Sequence, residues 1–247
     1  MTPSKYLVAI FGGAVSGSEA ANQLAMRGIP SVVFDQNALP YGKIEDGLPK
    51  WHVKLRDKEE QRINEKLSHP LVTFVPMTKL GEDITFEQLK GMGFSAILLA
   101  IGAWKDRPLG LKDVDNYIGK GLIYQNPFIY WFNHKHEPGF DKEAYKIVDG
   151  IGIIGGGLAS LDVAKVIMFD LVEKALKERG HQVDLFALDR SIARVLDDKG
   201  LTLEELGIEG CTLFYRRRIK DMPLYPGNPT TPEEIAKAEA VREKNPQ

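Results

Sequence analysis

One cysteine, Cys211, in 247 residues leaves no partner for an internal disulfide, no C-x-x-C redox pair and no multi-cysteine metal site. No apolar run reaches the roughly 20 residues needed to span a bilayer. The opening MTPSKYLVAIF is too short an apolar run for a secretory signal. Neither sign of charge is in excess, since 32 Lys and Arg face 34 Asp and Glu for a formal net charge of −2. Nothing in that balance points to nucleic acid or an anionic membrane. A cytoplasmic, reducing setting is the expectation. What the chain does contain is ordinary for a globular protein, with 43% hydrophobic and 27% charged residues. Its length suffices for one large domain or two modest ones.

Local patterning predicts alternating strands and helices. Residues 6–11 form an apolar run, and 16–27 follow as a helix with Ala20, Ala21, Leu24 and Ala25 on one face. Gly28 is the residue expected just past the helix end. Residues 31–35 read as a second strand, parallel to the first because the crossover is a single short helix. Residues 38–51 read as a Gly- and Pro-rich loop, 54–67 as a charged helix and 71–75 as a strand. A short helix then follows Thr85, which is spaced with Gln88 for a capping box. Residues 94–103 are a very apolar strand running into a glycine turn, and 105–149 lack clean periodicity and read as a connector. The opening pattern then recurs as strand, glycine turn and helix over 150–169. Residues 211–218 read as a strand ending in a basic triplet, and the tail TPEEIAKAEAVREKNPQ reads as a helix with a polar exit.

Two glycine turns, each between a strand and a helix, carry the chemistry. In a dinucleotide fingerprint the first glycine permits the tight turn, the second lets backbone approach the pyrophosphate, and the third lets helix and strand pack closely. The phosphates meet the N–H groups and positive dipole end of the helix. In GGAVSG these positions are Gly12, Ala14 and Gly17. The Cβ of Ala14 costs on the order of 1 kcal/mol if that residue needs a positive φ. Asp35 follows the second strand, where an acid holds the adenosine ribose about 20 residues on. A packed turn without ligand is the competing reading, and Asp35 together with the second unit weighs against it. In GGGLAS the first two positions are Gly155 and Gly157, and Ser160 takes the third. Here the acid is ambiguous. QVDLFALD would put Asp189 on the ribose and predicts NAD. CTLFYRRR would put Arg216 and Arg217 at a strand end, suited to a 2′-phosphate, and predicts NADP.

These segments, with YGKIEDGLP, GEDITFEQL and AILLAIGAWKDRPLG between them, resemble the adrenodoxin reductase and glutamate synthase small-subunit family of FAD- and NADPH-dependent oxidoreductases. The resemblance runs in family order over most of the chain. It implies an α/β fold of two Rossmann-like, doubly wound, parallel-sheet dinucleotide-binding units. Residues 1–107 would bind FAD, 108–149 would connect, and 150–247 would bind NADP. By family match, Gly12, Gly13, Ala14, Ser16, Gly17 and Asp35 surround the FAD pyrophosphate and ribose, and Gly42 and Gly47 lie in a loop along the flavin. Ala100 and Gly102 match a family Ala-Thr-Gly turn in which Ile101 replaces the threonine. Gly155, Gly157, Leu158 and Ala159 hold the NADP pyrophosphate, and Arg216 and Arg217 grip the 2′-phosphate, so the resemblance favours NADP. The implied activity is hydride transfer from NADPH to FAD, with electrons passing on to an iron–sulfur or flavin partner protein.

The chain departs from the family at several points. Ala14 replaces glycine, Lys43 stands where leucine is common, Glu45 where arginine is common, and Leu158 where asparagine is common. Family members also continue further and return to complete the FAD domain. The chain is therefore expected to be a fragment, or to be completed by a second polypeptide, and to hold FAD poorly alone. The alternative is a nucleotide-binding or scaffold module that has lost catalysis.

Other candidates carry less. A family histidine near the flavin makes His52 a candidate proton relay, although a loop histidine without a catalytic role is the preferred reading. His134 and His136 lack further ligands at metal spacing. Cys211 reads as a small packing residue on a strand, Trp104 as packing beside a cofactor turn, and Asp162 as a charge near a helix start.

Overall fold

The computed structural model of the protein describes residues 5–142, 144–225 and 229–244; the first four residues and the last three of the polar tail lie outside it. The chain divides into two compact units, Met1–Asn133 and His134–Gln247.

The first unit contains β1 (Val8–Phe11), α1 (Val15–Ala25), β2 (Ser31–Phe34), α2 (Lys43–Asp46), α3 (Val53–Leu67), β3 (Val72–Val75), α4 (Phe86–Gly91), β4 (Ala96–Leu99) and α5 (Gln125–His134). Its sheet has the order β3-β2-β1-β4 and is parallel throughout, with Ile10 registered on Val33 and on Leu98. Side chains alternate between the sheet's two faces. Ile10 and Val33 are fully buried with Ala21, and Leu24 and Leu67 pack against them, so α1 and α3 share one face. Ala9, Phe11 and Phe34 form the opposite face with Ile84 and Leu89, and the Phe11 and Phe34 rings stack at 4.8 Å. Helix α1 closes at Gly28, whose N–H donates to the Ala25 carbonyl while that of Ile29 reaches Leu24. Helix α4 carries the expected capping box, with Thr85 accepting from the Gln88 amide and the Gln88 side chain reaching back to Thr85.

Two segments differ from the sequence expectation. The loop over 38–51 contains the single helical turn α2, and the stretch read as a connector contains α5. Helix α5 buries Phe128, Ile129, Trp131, Phe132 and Asn133, which is too broad an apolar surface to show a helical stripe.

The second unit contains β5 (Ile151–Ile154), α6 (Leu158–Glu178), α7 (Leu185–Arg190), α8 (Ile192–Asp197), β6 (Cys211–Phe214) and α9 (Pro232–Lys244). Strands β5 and β6 pair in parallel, with Ile151 on Cys211 and Ile154 on Phe214. Helix α6 buries Val166, Ile167, Phe169, Val172 and Leu176, and a Schellman-type closure at Gly180 ends it. The segment QVDLFALD, a strand on one reading above, is helix α7. Asp184 caps it by accepting from the Ala187 amide at 3.2 Å.

The entry to β5 is pinned by Asp149, whose two carboxylate oxygens accept the Glu209 and Gly210 amides at 2.8 and 2.6 Å. These backbone hydrogen bonds hold the Asp149 carboxyl below the usual carboxylate range. Because the folded-state pKa is depressed, the stabilisation is present above the unfolded value and lost as pH falls through the folded one. Asp149→Asn should therefore destabilise the second unit at neutral pH. The deficit should shrink as pH falls below about 4, as read by urea unfolding followed by circular dichroism.

Candidate functional site

The first turn is built by close approach. Gly12 has φ +95°, and a Cβ there would lie 2.3 Å from the Ala100 carbonyl oxygen. A Cβ on Gly17 would lie 1.7 Å from the Gly12 carbonyl oxygen, so α1 is seated on the turn with no side-chain carbon between them. Ala14 is different: it has φ −68° and ψ −153°, an extended conformation that any residue adopts. The strain cost that a positive φ would have imposed there is absent.

As the N-cap of α1, Ala14 supplies no side-chain acceptor, and the first intrahelical bond runs from Ser18 N–H to the Ala14 carbonyl. The backbone donors of the first turn, at the exposed residues Val15 and Ser16, therefore form an uncapped positive helix end. Asp35, 6% exposed, lies beneath the turn: its Oδ2 accepts the Gly13 amide at 2.7 Å and its Oδ1 the Asn37 amide at 2.9 Å. The acid thus ties the end of β2 to the glycine turn.

Gly42 borders the same turn, and a Cβ placed on it would lie 3.2 Å from Ala14 Cβ and 3.9 Å from the Trp104 ring. Next to it the Lys43 ammonium lies over the Trp104 ring, 5.5 Å from its centroid, and donates to Asn126 Oδ1. Burial pushes the Lys43 pKa down, against the opposing attraction of Asp106 and Asp46. Gly47 closes α2, and Ala100 and Gly102 follow β4. His52 sits at the start of α3 with its ring 5.8 Å from that of Trp51.

The second turn repeats the plan with different packing. A Cβ on Gly155 would lie 2.2 Å from Ser160 Oγ, so the serine in the third position occupies room that the glycine leaves. A Cβ on Gly156 would lie 2.3 Å from the Tyr215 ring, which covers the turn and whose hydroxyl donates to the Asp221 carbonyl at 3.0 Å. Gly157, the N-cap of α6, has no side-chain cap, and Leu158 and Ala159 expose the first helical turn. Arg216 and Arg217 are exposed just beyond β6 and, among the described residues, form no ion pair, whereas Arg218 pairs with Asp221 at 2.9 Å. Asp189 does not follow a neighbouring strand; it lies in α7, paired with Lys165 at 2.6 Å.

Sequence reasoning overlooked Asn126, Asn133, Asp106 and the cover that Tyr215 provides. Asn133 opens the NHKH stretch, where attention falls on the histidines. His134 Nδ1 lies 2.8 Å from the Glu137 carboxylate, and among the described residues no group of three metal-ligating side chains exists. The fully buried Gly13 amide gave no signal for its carboxylate partner beyond the position of Asp35 itself.

A strand, a glycine turn and an uncapped helix, twice in one chain, define a protein of two Rossmann-like units. No family model matches the chain. It is 25% identical over 170 residues to the mitochondrial NADPH:adrenodoxin oxidoreductase of Arabidopsis thaliana, covering 68% of this chain and 34% of that protein. It is 28% identical over 183 residues to the glutamate synthase [NADPH] small chain of Bacillus subtilis, covering 72% and 34%. With the NADPH-Fe(3+) oxidoreductase subunit beta of Geobacter sulfurreducens it shares 28% identity over 229 residues, covering 87% and 26%. The structure of Mycobacterium tuberculosis FprA in complex with NADPH is similar in fold, with a TM-score of 0.64 at 20% identity over 96% of this chain and 48% of that one. The chain is similar to these proteins, and the matches span between a quarter and a half of their lengths.

Replacing Asp35 by alanine leaves the buried Gly13 amide without a partner, at a cost of about 1–3 kcal/mol. Asp35→Ala should lower the unfolding midpoint of the first unit accordingly, measured by urea titration. Asp35→Asn, which retains an acceptor oxygen, should lose less.

Proposed function

We propose that this chain carries the FAD- and NADPH-binding portion of a flavoprotein oxidoreductase, which moves hydride from NADPH to FAD and electrons onward to an iron–sulfur or flavin partner. The observation that carries this reading is the recurrence, within one chain, of a helix end without a side-chain cap behind a glycine turn, the second followed by two exposed arginines that form no ion pair among the described residues. Both turns fit a diphosphate: side-chain carbon is missing where backbone approaches in the first and where the Ser160 and Tyr215 side chains approach in the second, and neither N-cap residue supplies a side-chain acceptor to its helix. At the first turn the amides near Ala14, Ser16 and Gly17 would receive the FAD pyrophosphate. Asp35 orients the turn through Gly13, Gly42 and Ala100 border it, and Gly47 and Gly102 would lie along the flavin. At the second, Gly155, Gly157, Leu158 and Ala159 would receive the NADPH pyrophosphate. Arg216 and Arg217 would take the 2′-phosphate as bidentate donors. When bound, FAD supplies a centre that accepts a hydride and gives up electrons one or two at a time. His52, at the start of α3, is a candidate proton relay that would serve that centre.

The adrenodoxin and iron named among the relatives suggest a small redox protein or metal centre as acceptor. A second polypeptide, or further sequence, completes the fold in this reading, and the setting is cytoplasmic. No described helix is long and apolar enough to cross a membrane.

Reconstitution with FAD followed by anaerobic NADPH titration should bleach the flavin absorbance bands. A chain that takes up no FAD even from a large excess refutes the reading. One that binds both nucleotides without reduction is the scaffold of the alternative. Arg216→Ala should weaken NADPH about tenfold or more relative to NADH, roughly 1.4 kcal/mol, in competition binding assays. Equal weakening of the two cofactors would remove the arginine from the 2′-phosphate site.

A further inference from the structure

Helix α5 holds the loop beside the first turn at both ends. Asn126 and Asn133 are seven residues apart, two helical turns, and so lie on one face. At the start of the helix, Asn126 accepts the Lys43 ammonium on its side-chain oxygen, while its own backbone N–H donates to the Asp106 carboxylate at 3.1 Å. That carboxylate, 20 residues away in sequence, caps a helix whose Pro127 needs no acceptor in the first turn. At the end of the helix, Asn133 is 1% exposed and its amide group donates to the carbonyls of Glu45, Asp46 and Leu48 at 3.1, 3.3 and 2.9 Å. Three converging acceptors fix the orientation of that amide, and its oxygen is buried without a partner among the described residues. An apolar residue would pack there at less cost in polar desolvation, so the site is built for the contact with the loop carbonyls. The loop so held begins at Gly42, in contact range of Ala14 in the first glycine turn.

We propose that α5 is the positioning element of the first nucleotide site: Asn126 and Asn133 hold residues 43–48 against the glycine turn and thereby set how tightly that site retains its flavin. This rests on the reading of the first site as an FAD site. Both asparagines act through the loop and are positioning residues.

The test uses the 247-residue chain and two readouts, amide hydrogen exchange over residues 43–48 and the dissociation constant for FAD. Asn133→Ala should speed exchange in the loop while β1, β2 and α1 keep their protection. It should weaken FAD about tenfold or more, with NADPH affinity at the second turn unchanged. Asn133→Asp, which turns an anionic oxygen toward three carbonyls, should weaken FAD further. Asn126→Ala, at the less buried end, should show the same pattern at smaller size, and it carries the test if Asn133→Ala does not fold. Faster loop exchange with unchanged FAD affinity overturns the proposal, and so does loss of FAD and NADPH affinity together. A wild-type chain that binds no FAD refutes the underlying reading of the site and this inference with it.

Discussion

The contact between Gly17 and the carbonyl of Gly12 sets the geometry of the first unit. With a Cβ position only 1.7 Å from that oxygen, α1 approaches the turn as closely as backbone permits. That approach directs the helix N-terminus back over the end of β1 and leaves its donors facing outward. The parallel return of β2 then delivers Asp35 under the turn, where its carboxylate locks the Gly13 amide at 2.7 Å. Ala14 is tolerated because its backbone is extended and Gly42 beside it leaves room for the methyl group.

The second unit solves the same problem with side chains where the first uses their absence. Ser160 stands where a third glycine is usual, and Gly155 provides the room it takes. Tyr215 lies flat against Gly156, anchored through its hydroxyl to the Asp221 carbonyl, and so ties the chain after β6 to the turn after β5. The arginines that follow Tyr215 are thereby brought near the helix end that would receive a pyrophosphate. An aromatic lid on a glycine is specific in shape, whereas the first turn is specific in closeness.

Much of this was legible in the amino-acid order because it depends on residues with unusual conformational properties. Glycine turns after apolar runs, an acid at a strand end and the Thr85–Gln88 box each act over a few residues. The parts that were not legible depend on distant partners. QVDLFALD has a strand-like alternation, yet Asp184 caps it as a helix and Asp189 pairs with Lys165, 24 residues away. Helix α5 sets its two asparagines within too broad an apolar surface to show a stripe, and its cap comes from Asp106. Asn133 lies 85 to 88 residues from the carbonyls it holds, a separation that no local pattern encodes. Glycine turns show where a phosphate goes; the side chains that steady the surrounding loop come from elsewhere in the chain.

The placement of the aromatic side chains has an optical consequence. All three tryptophans, Trp51, Trp104 and Trp131, belong to the first unit, and the second contains none. Indole emission therefore reports on one half of the molecule. Trp104 lies against the Lys43 ammonium beside the first glycine turn, where a bound yellow chromophore would quench it by energy transfer. The second turn has no indole in its own unit, and events there can be followed through the backbone or through the nicotinamide itself. The protein carries its own spectroscopic label, and all of it lies in the first unit.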